Sequence, residues 1–411
     1  MHQTSKVQAF QRSFEVVEDR YAQIRQAVEI QLRGAALTLI TELFEEELSS
    51  LCGAAFQRKR GELSYRGGSD RGTVMLQGQR VAVRKPRVRR DGREVELATH
   101  RALQGLDLLS PRVVQHMLTG VSTRNYDRLL EAIAGGLGLK KSSVSRAFVR
   151  GSRQALDAIN GRDLSGERWL VLMIDSLEFA ERNVTVALGV MADGKKHVLG
   201  LREGDTENAE VCTNLLSSLL ERGFPGAPNL LGVLDGSKAL RKAVRRVFGD
   251  LVPVQRCIRH KERNVLSYLP QAHHAEFRRR WKMIHGLTTH AEAVREWERL
   301  VRWLAPISQA AVASLEEAEG ETLTVLRFGI PEKLRKTLLS TNPIESAFDG
   351  VRSGSRRVKH WRRGADQIVR WAAATLKDVE SRFRRVKGFR ELPLLAAQLD
   401  KITLLQERKV A

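Results

Sequence analysis

The sequence predicts an α/β fold: a mixed five-stranded sheet, interrupted by an all-helical segment and preceded by a helical and β-ribbon region. Three observations carry that reading. Trp169-Leu-Val-Leu-Met-Ile174 and Leu230-Leu-Gly-Val-Leu234 are short apolar runs that each stop on an aspartate. Between them lie two alternating runs joined by Asp193-Gly194, a tight-turn signal. After them, Arg263 to about Leu339 loses the strand pattern and becomes helix-rich, with Trp281, Trp297 and Trp303.

Composition bounds the rest. The chain has 411 residues, 42% of them hydrophobic and 28% charged, enough for several packed units. Its formal net charge is +21, which points to a polyanionic partner, nucleic acid before an anionic membrane surface. No apolar run approaches the roughly 18 to 20 residues that a membrane span needs, and the start of the chain lacks a signal peptide's apolar segment. Three scattered cysteines, Cys52, Cys212 and Cys257, imply no disulfide framework and suit a reducing cytoplasm.

Residues 5 to about 60 have helical periodicity, with Phe14, Val17, Tyr21, Ile24 and Val28 at three- and four-residue steps. Gly67-Gly-Ser-Asp-Arg-Gly72 breaks that helix and is expected to be a flexible loop. Thr73–Leu76 and Val81–Val83 are strand-like, and Asp91-Gly92 is a hairpin turn into Glu94–Leu97. Arg80 to Arg101 holds eight Lys/Arg against three acids. Such a ribbon is either a sheet edge guarded by charge or a surface laid along a phosphate backbone.

Ser122–Ile133 is expected to form a helix and Gly135–Gly138 a turn. Lys140-Lys-Ser-Ser-Val-Ser-Arg146 then opens a second helix. That order fits a helix-turn-helix whose second helix presents Lys140, Lys141, Ser142, Ser143 and Arg146 to DNA, although many helical hairpins look alike. Gly161–Gly166 is a polar boundary.

From Arg168 the expected order is three antiparallel strands (Trp169–Ile174, Val184–Val190, His197–Leu201), a helix over 208–222, strand 230–234, a helix over 237–248, and strand 251–255. This is the order of an RNase H-like fold. In it, the fourth strand lies parallel beside the first, so Asp175 and Asp235 emerge side by side. Ser340-Thr-Asn-Pro-Ile-Glu345 opens a later helix. Gly350 to Arg390 carries 13 Lys/Arg and three acids, a density suited to phosphate contact by Arg352, Arg356, Arg357, Lys359, Arg362 and Arg363. The tail from Leu392 to Leu405 is an amphipathic helix.

Asp175, Asp235 and Glu345 are the candidate acids, and each has a plainer reading. Asp175 could be a strand's solvent end, and Asp235 could cap the next helix. With Asn342 as cap and Pro343 first in the helix, Glu345 could complete a capping box. Their convergence favours function, because clustered carboxylates repel unless cations neutralise them. Hard divalent ions do so, and a pair of them serves phosphoryl transfer. Glu178, Asp193, Asp205, Glu207 and Asp349 compete, with Asp349 the first substitute for Glu345. Cys257 and His260 could be half a zinc site, but no second pair has suitable spacing. A buried Cys and a His that donates to the acids or to a phosphate fits better.

At these residues the chain resembles the Mutator-like bacterial insertion-sequence transposases, an Asp-Asp-Glu group, over about residues 70 to 390. The match rests on Asp235-Gly236, Gln255-Arg-Cys-Ile-Arg-His260-Lys-Glu-Arg-Asn264 and Thr341-Asn-Pro-Ile-Glu345. It departs after the first acid, where Asp175-Ser-Leu-Glu-Phe replaces the usual small-aromatic continuation. The resemblance implies that Asp175, Asp235 and Glu345 are the catalytic and metal-binding acids, with two Mg²⁺ or Mn²⁺ ions per site and Cys257 and His260 in support. It implies cleavage at element ends followed by strand transfer into target DNA, by a homodimer on double-stranded DNA in the bacterial nucleoid. Trp281 would stack on an unpaired base or, more plainly, fill a helical core. The implied organisation is an N-terminal helical region (1–66), a basic ribbon and linker (67–120) and a helix-turn-helix (121–160). An RNase H-like core follows in two parts (167–262 and 340–390) around a helical insertion (263–339), and a C-terminal helix (391–411) ends the chain. A structure-specific nuclease and a catalytically inactive DNA-binding regulator are the competing functions.

Overall fold

The computed structural model of the chain describes residues 30–31, 34–54, 64–76, 79–104, 106–120, 136–137, 141–179, 182–204, 208–226, 229–356, 358, 360–361 and 366–410. Two compact units emerge, one of Met1–Val113 and Thr123–Ala147, the other of Val114–Ser122 and Phe148–Ala411.

In the first unit, helix α1 (residues 34–52) buries Ile40, Phe44, Leu48 and Cys52, one every four residues. That stripe faces Val74 and Val88 of a ribbon made by β1 (Ser64–Leu76) and β2 (Gln79–Arg90), which pair antiparallel. Asp91 and Gly92 both take positive φ, 50° and 74°, and turn the chain into β3 (Arg93–Val95), as Asp-Gly predicts. Helix α2 (Ala98–Leu103) follows, with the Ala98 and Thr99 amides donating to the Glu47 carboxylate at 2.6 and 3.0 Å. Along the chain then come α3 (Leu106–Leu118), β4 (Gly136–Leu137) and α4 (Lys141–Asn160), of which residues from Val114 in α3 and from Phe148 in α4 belong to the second unit.

Two expectations change here. Gly67–Gly72 is not a loop: it lies inside β1, and a register shift between Arg66 and Ser69 absorbs the Gly67-Gly68 pair as a bulge. A Cβ on Gly72 would stand 3.0 Å from Lys85 Cβ, so glycine there allows close approach rather than flexibility. Gly136-Leu137, expected in a free turn, pairs with Arg80 and Val81 of β2. The helix expected over 122–133, and Lys140, lie outside the described residues.

The second unit is built on β5 (Trp169–Phe179), β6 (Arg182–Met191) and β7 (Lys196–Gly204), an antiparallel meander. Helix α5 (Ala209–Glu221), capped by Asn208, leads to β8 (Leu231–Leu234). Helix α6 (Lys238–Phe248), capped by Ser237, leads to β9 (Val254–Arg256). The sheet order is β7-β6-β5-β8-β9, with β8 parallel to β5 and β9 parallel to β8. The first strand does not stop at Asp175: pairing with β6 carries it through to Phe179. Leu172 and Ile174 pack with Leu215, Leu216, Leu219, Leu240 and Val244 on one face of the sheet. Strand alternation turns Met173 and Asp175 to the other face.

After β9 the chain leaves the sheet as α7 (Ile258–Leu266), α8 (His274–Gly286), α9 (His290–Leu304), α10 (Gln309–Glu316), α11 (Glu319–Thr322) and α12 (Glu332–Leu338). These helices have their own core of Val265, Phe277, Trp281, Ile284, Trp297, Leu300 and Leu315. Trp281 is 2% exposed, stacks on Phe277 at 5.7 Å and donates its indole N–H to Ile258 O, so its role is core packing, not base stacking. The excursion is tied back tightly. Gln255 donates to Thr322 O (2.9 Å) and accepts from Val325 N (2.9 Å), and Arg256 pairs with Glu321 at 3.3 Å.

Helices α13 (Asn342–Ser355) and α14 (Gln367–Glu380) then pack on β5 and β7 respectively, and α15 (Leu392–Val410) closes the chain. Although α14 sits in the basic tract, it buries everything from Ile368 to Leu376, Arg370 included. Glu380 at its end accepts from Arg162 (2.7 and 3.1 Å) and meets His197 Nδ1 at 2.7 Å. Among the described residues, no helix is long and apolar enough to cross a membrane.

Candidate active site

The parallel half of the sheet sets the site's frame. Register pairs Ile174 with Leu234 and Leu234 with Arg256. The next residues along the three strands, Asp175, Asp235 and Cys257, therefore stand in one row where the parallel ladder ends. Two acids 60 residues apart in sequence, and a thiol 22 residues beyond the second, are neighbours for that reason alone.

Asp175 is 3% exposed. Its Oδ1 accepts from the Ser176 amide at 2.8 Å, while Oδ2 is buried with no hydrogen-bond partner. Burial raises its pKa, and the nearby Glu345 adds to that. His260, the Thr341 hydroxyl and the Ser176 amide pull the other way. Asp235 is half-buried in the turn after β8, where it accepts from Ser237 N at 2.8 Å. Gly236 beside it takes φ +106°, and a Cβ there would crowd Arg256 Cδ at 3.1 Å. The Asp235-Gly236 pair is thus fixed by backbone geometry and by the buried Arg256 beneath it.

Cys257 caps the N-terminus of α7, donating its amide to Leu234 O at 2.7 Å, and its buried sulfur accepts from the Thr341 hydroxyl at 3.5 Å. His260 lies one turn on. Burial would lower its pKa, but the Cys257 sulfur and the Asp175 carboxylate outweigh burial and raise it. Burial in turn raises the Cys257 thiol, and His260 reverses that and lowers it.

Glu345 comes from α13. Helix α13 begins one residue earlier than expected: Thr341, not Asn342, is the cap, and its side chain makes no capping bond. The capping-box role foreseen for Glu345 is therefore not the one it takes. Its Oε1 accepts from Arg263 at 3.1 Å and faces His260 Nε2 at 3.8 Å. Ligand atoms of Asp175, His260 and Glu345 all lie within 4.8 Å of one another. Asp235 and Cys257 stand in the row beside that group, outside it.

These residues fit a cation. Two carboxylates and an imidazole supply the hard and borderline donors that divalent ions take. The bare, buried Asp175 Oδ2 is the kind of orphaned acceptor that a cation would satisfy. Beside Glu345 opens a cleft of about 430 Å³ whose walls include Arg259, Arg263, Asn342 and Asp349. Its mixed charge, with two arginines in its walls, suits an anionic substrate approaching carboxylates.

The competing acids have other partners or positions: Glu178 is exposed, Asp193 pairs with Lys195 in its turn, and Asp349, although it lines the cleft beside Glu345, pairs with Arg352 at 2.9 Å. Asp205 and Glu207 lie outside the described residues, as do Arg357, Lys359, Arg362 and Arg363. Lys141, Ser142 and Arg146 are exposed at the start of α4, Ser143 is half-buried there, and Arg356 is exposed at the end of α13. Arg263 and Thr341 were missed as site residues. The signal for Arg263 was its spacing, three residues after His260 on one helix face. Thr341 opens the very segment that ends in Glu345.

Comparison with known proteins finds a family match over most of the chain. A family model described as "Transposase, Mutator family" matches residues 7–386. The transposase for insertion sequence element IS6120 of Mycolicibacterium smegmatis is 32% identical over 249 residues, 59% of this chain and 75% of that protein. The transposase for IS256 in transposon Tn4001 of Staphylococcus aureus is 25% identical, covering 78% of this chain and 83% of its own. The transposase for IS1081 of Mycobacterium tuberculosis is 26% identical over 80% of each.

Proposed function

The chain belongs to the Mutator family of transposases, and from that membership we propose that it binds the terminal inverted repeats of an insertion sequence and performs cation-dependent DNA cleavage and strand transfer. The sheet order β7-β6-β5-β8-β9, an antiparallel meander extended by two parallel strands, supports reading its core as RNase H-like. The helices between β9 and α13 are then an insertion within that core. The observation that carries the reading is the row of residues 175, 235 and 257 where the parallel ladder ends, with Glu345 brought against it by α13.

Asp175, Asp235 and Glu345 would hold the cations, two Mg²⁺ or Mn²⁺ ions on this reading, with His260 and Cys257 in support. Ions bound there polarise phosphoryl oxygens and stabilise the attacking and leaving oxygens of an in-line displacement. The protein's own part is positional. The Ser176 amide and close packing hold Asp175 in one orientation, the turn at Gly236 holds Asp235, and His260 and Arg263 steer Glu345. In cleavage, a water oxygen bonds to phosphorus as the bond to the 3′ oxygen breaks. In joining, the freed 3′-hydroxyl bonds to a target phosphorus as a target P–O bond breaks. No covalent enzyme intermediate is needed.

Recognition falls to the helix-turn-helix residues Lys140, Lys141, Ser142, Ser143 and Arg146. The basic tract of Arg352, Arg356, Arg357, Lys359, Arg362 and Arg363 holds the backbone, and a homodimer pairs two element ends. An in vitro reaction with element ends, a target plasmid and Mg²⁺ or Mn²⁺ tests this. Joined product is expected, lost in chelator and lost in Asp235→Asn while end binding persists. Nicked or linear product alone would mean a nuclease, and binding without any cleavage would mean a regulator.

A further inference from the structure

Some basic residues of the first unit's ribbon are matched: Arg66 with Glu45 at 2.8 Å, Lys85 with Glu94 at 3.2 Å, and Arg87 with Glu94 and Asp70 at 3.3 and 3.5 Å. Along one side of the β1–β2 ladder they are not: register places Arg71 directly across from Arg84, Thr73 across from Ala82 and the buried Met75 across from Arg80. Arg71, Arg80 and Arg84 are exposed, and none has an ion pair among the described residues.

Like charges directly opposite each other in a ladder are destabilising. A charge that only guards a sheet edge against another strand has no need to be doubled across the ladder. Thr73 and Ala82, between the two arginine positions, are short, so nothing bulky rises between Arg84 and Arg80. Those two lie on one side of β2 four residues apart, roughly 13 Å at the usual strand rise. A row of cations with its neutralising acids withheld is complementary to a row of phosphates.

We propose that this side of the β1–β2 ribbon is a sequence-independent clamp on the backbone of duplex DNA, with Arg71 and Arg84 as a paired contact and Arg80 as a third. The clamp rests on the transposase reading and adds a contact surface to it. Backbone contacts of this kind position a protein without reading bases. The clamp would hold element ends and target alike.

The test is anisotropy of a labelled random-sequence duplex, titrated with the full chain across a salt series, alongside thermal melts. Each phosphate contact adds about 0.9 to the slope of log K against log salt, so Arg71→Gln/Arg84→Gln should flatten it by about 1.8. The same variant should melt at or above the wild-type temperature, since it relieves a like-charge pair. Arg71→Lys/Arg84→Lys should keep the wild-type slope. An unchanged slope in the glutamine variant, or equal loss of affinity in both variants, would overturn the clamp alone. A wild type that bound no duplex at any salt would sink the transposase reading along with it.

Discussion

Asp175 keeps one carboxylate oxygen bonded and the other bare in a buried site, with its pKa raised by that burial. A group in that condition is costly until a cation joins it. Removing one carboxylate should cost several kcal/mol of transition-state stabilisation, roughly 10³-fold in rate. Single-turnover cleavage by Asp175→Asn and Glu345→Gln measures it, and a fall of less than tenfold would count against both assignments. Arg263 predicts the opposite sign in a different assay. Its guanidinium occupies Glu345 at 3.1 Å and competes with any cation for that oxygen. The pair is largely solvent-exposed, worth under about 1 kcal/mol. Arg263→Ala should therefore bind Mn²⁺ about two- to fivefold more tightly by calorimetry, and weaker binding would refute the competition.

Among the elements, the helices after β9 hold a titratable group that the site does not use. His285 is 4% exposed beside Trp281, and neither ring nitrogen has a hydrogen-bond partner. Burial pushes its pKa down to about 3, below the ordinary 6.5, so the folded chain keeps it neutral. Between those values the unfolded chain binds the extra proton, and stability falls as pH drops from 6.5 toward 3, by up to about 1.4 kcal/mol per unit. His285→Phe should lose that share of the acid sensitivity and be no less stable at pH 7. Melting curves of both proteins at pH 4.5 and 7 decide it, and equal acid sensitivity would rule it out. Glu380 makes the complementary case at the end of α14. Its folded pKa is lowered: burial raises it, but the His197 and Arg162 bonds win. The stability it gives is present above its unfolded pKa and lost as pH falls through the folded one. Glu380→Gln should cost about 2–3 kcal/mol at pH 7 in denaturant unfolding, and a neutral effect would show the anchor to be idle.

Much of this architecture was legible because its strands are continuous or alternating apolar runs, and because Asp91-Gly92 and Asp193-Gly194 are unambiguous turns. The failures share a cause. Gly67–Gly72 reads locally as a break, but a partner strand and a bulge decide its conformation. Beyond Asp175 the polar Ser176 and Glu178 hide a strand that exists only because β6 pairs with it. In the site, Asp175 and Asp235 were placed by topology. The meeting of His260 with Glu345 depends on where two helices land, which no local pattern encodes.

For the molecule as a whole, the +21 charge dictates how any DNA complex behaves. Affinity for duplex should fall steeply with salt, by about 10³-fold or more between 50 and 200 mM if six or more phosphates are contacted. A flat salt profile would mean that base contacts, not charge, dominate. The helical excursion has another consequence at this scale. It leaves the sheet at Cys257 and returns at Thr341, and departure and return are joined: Ile258 N donates to Leu339 O at 3.0 Å, and the Thr341 hydroxyl to Cys257 sulfur. A segment whose two ends are stapled at the base can be lengthened, trimmed or exchanged over evolution without prising the carboxylates apart. Changes in the excursion away from its ties at Glu321, Thr322 and Val325 can therefore leave the row of Asp175, Asp235 and Cys257 where it stands.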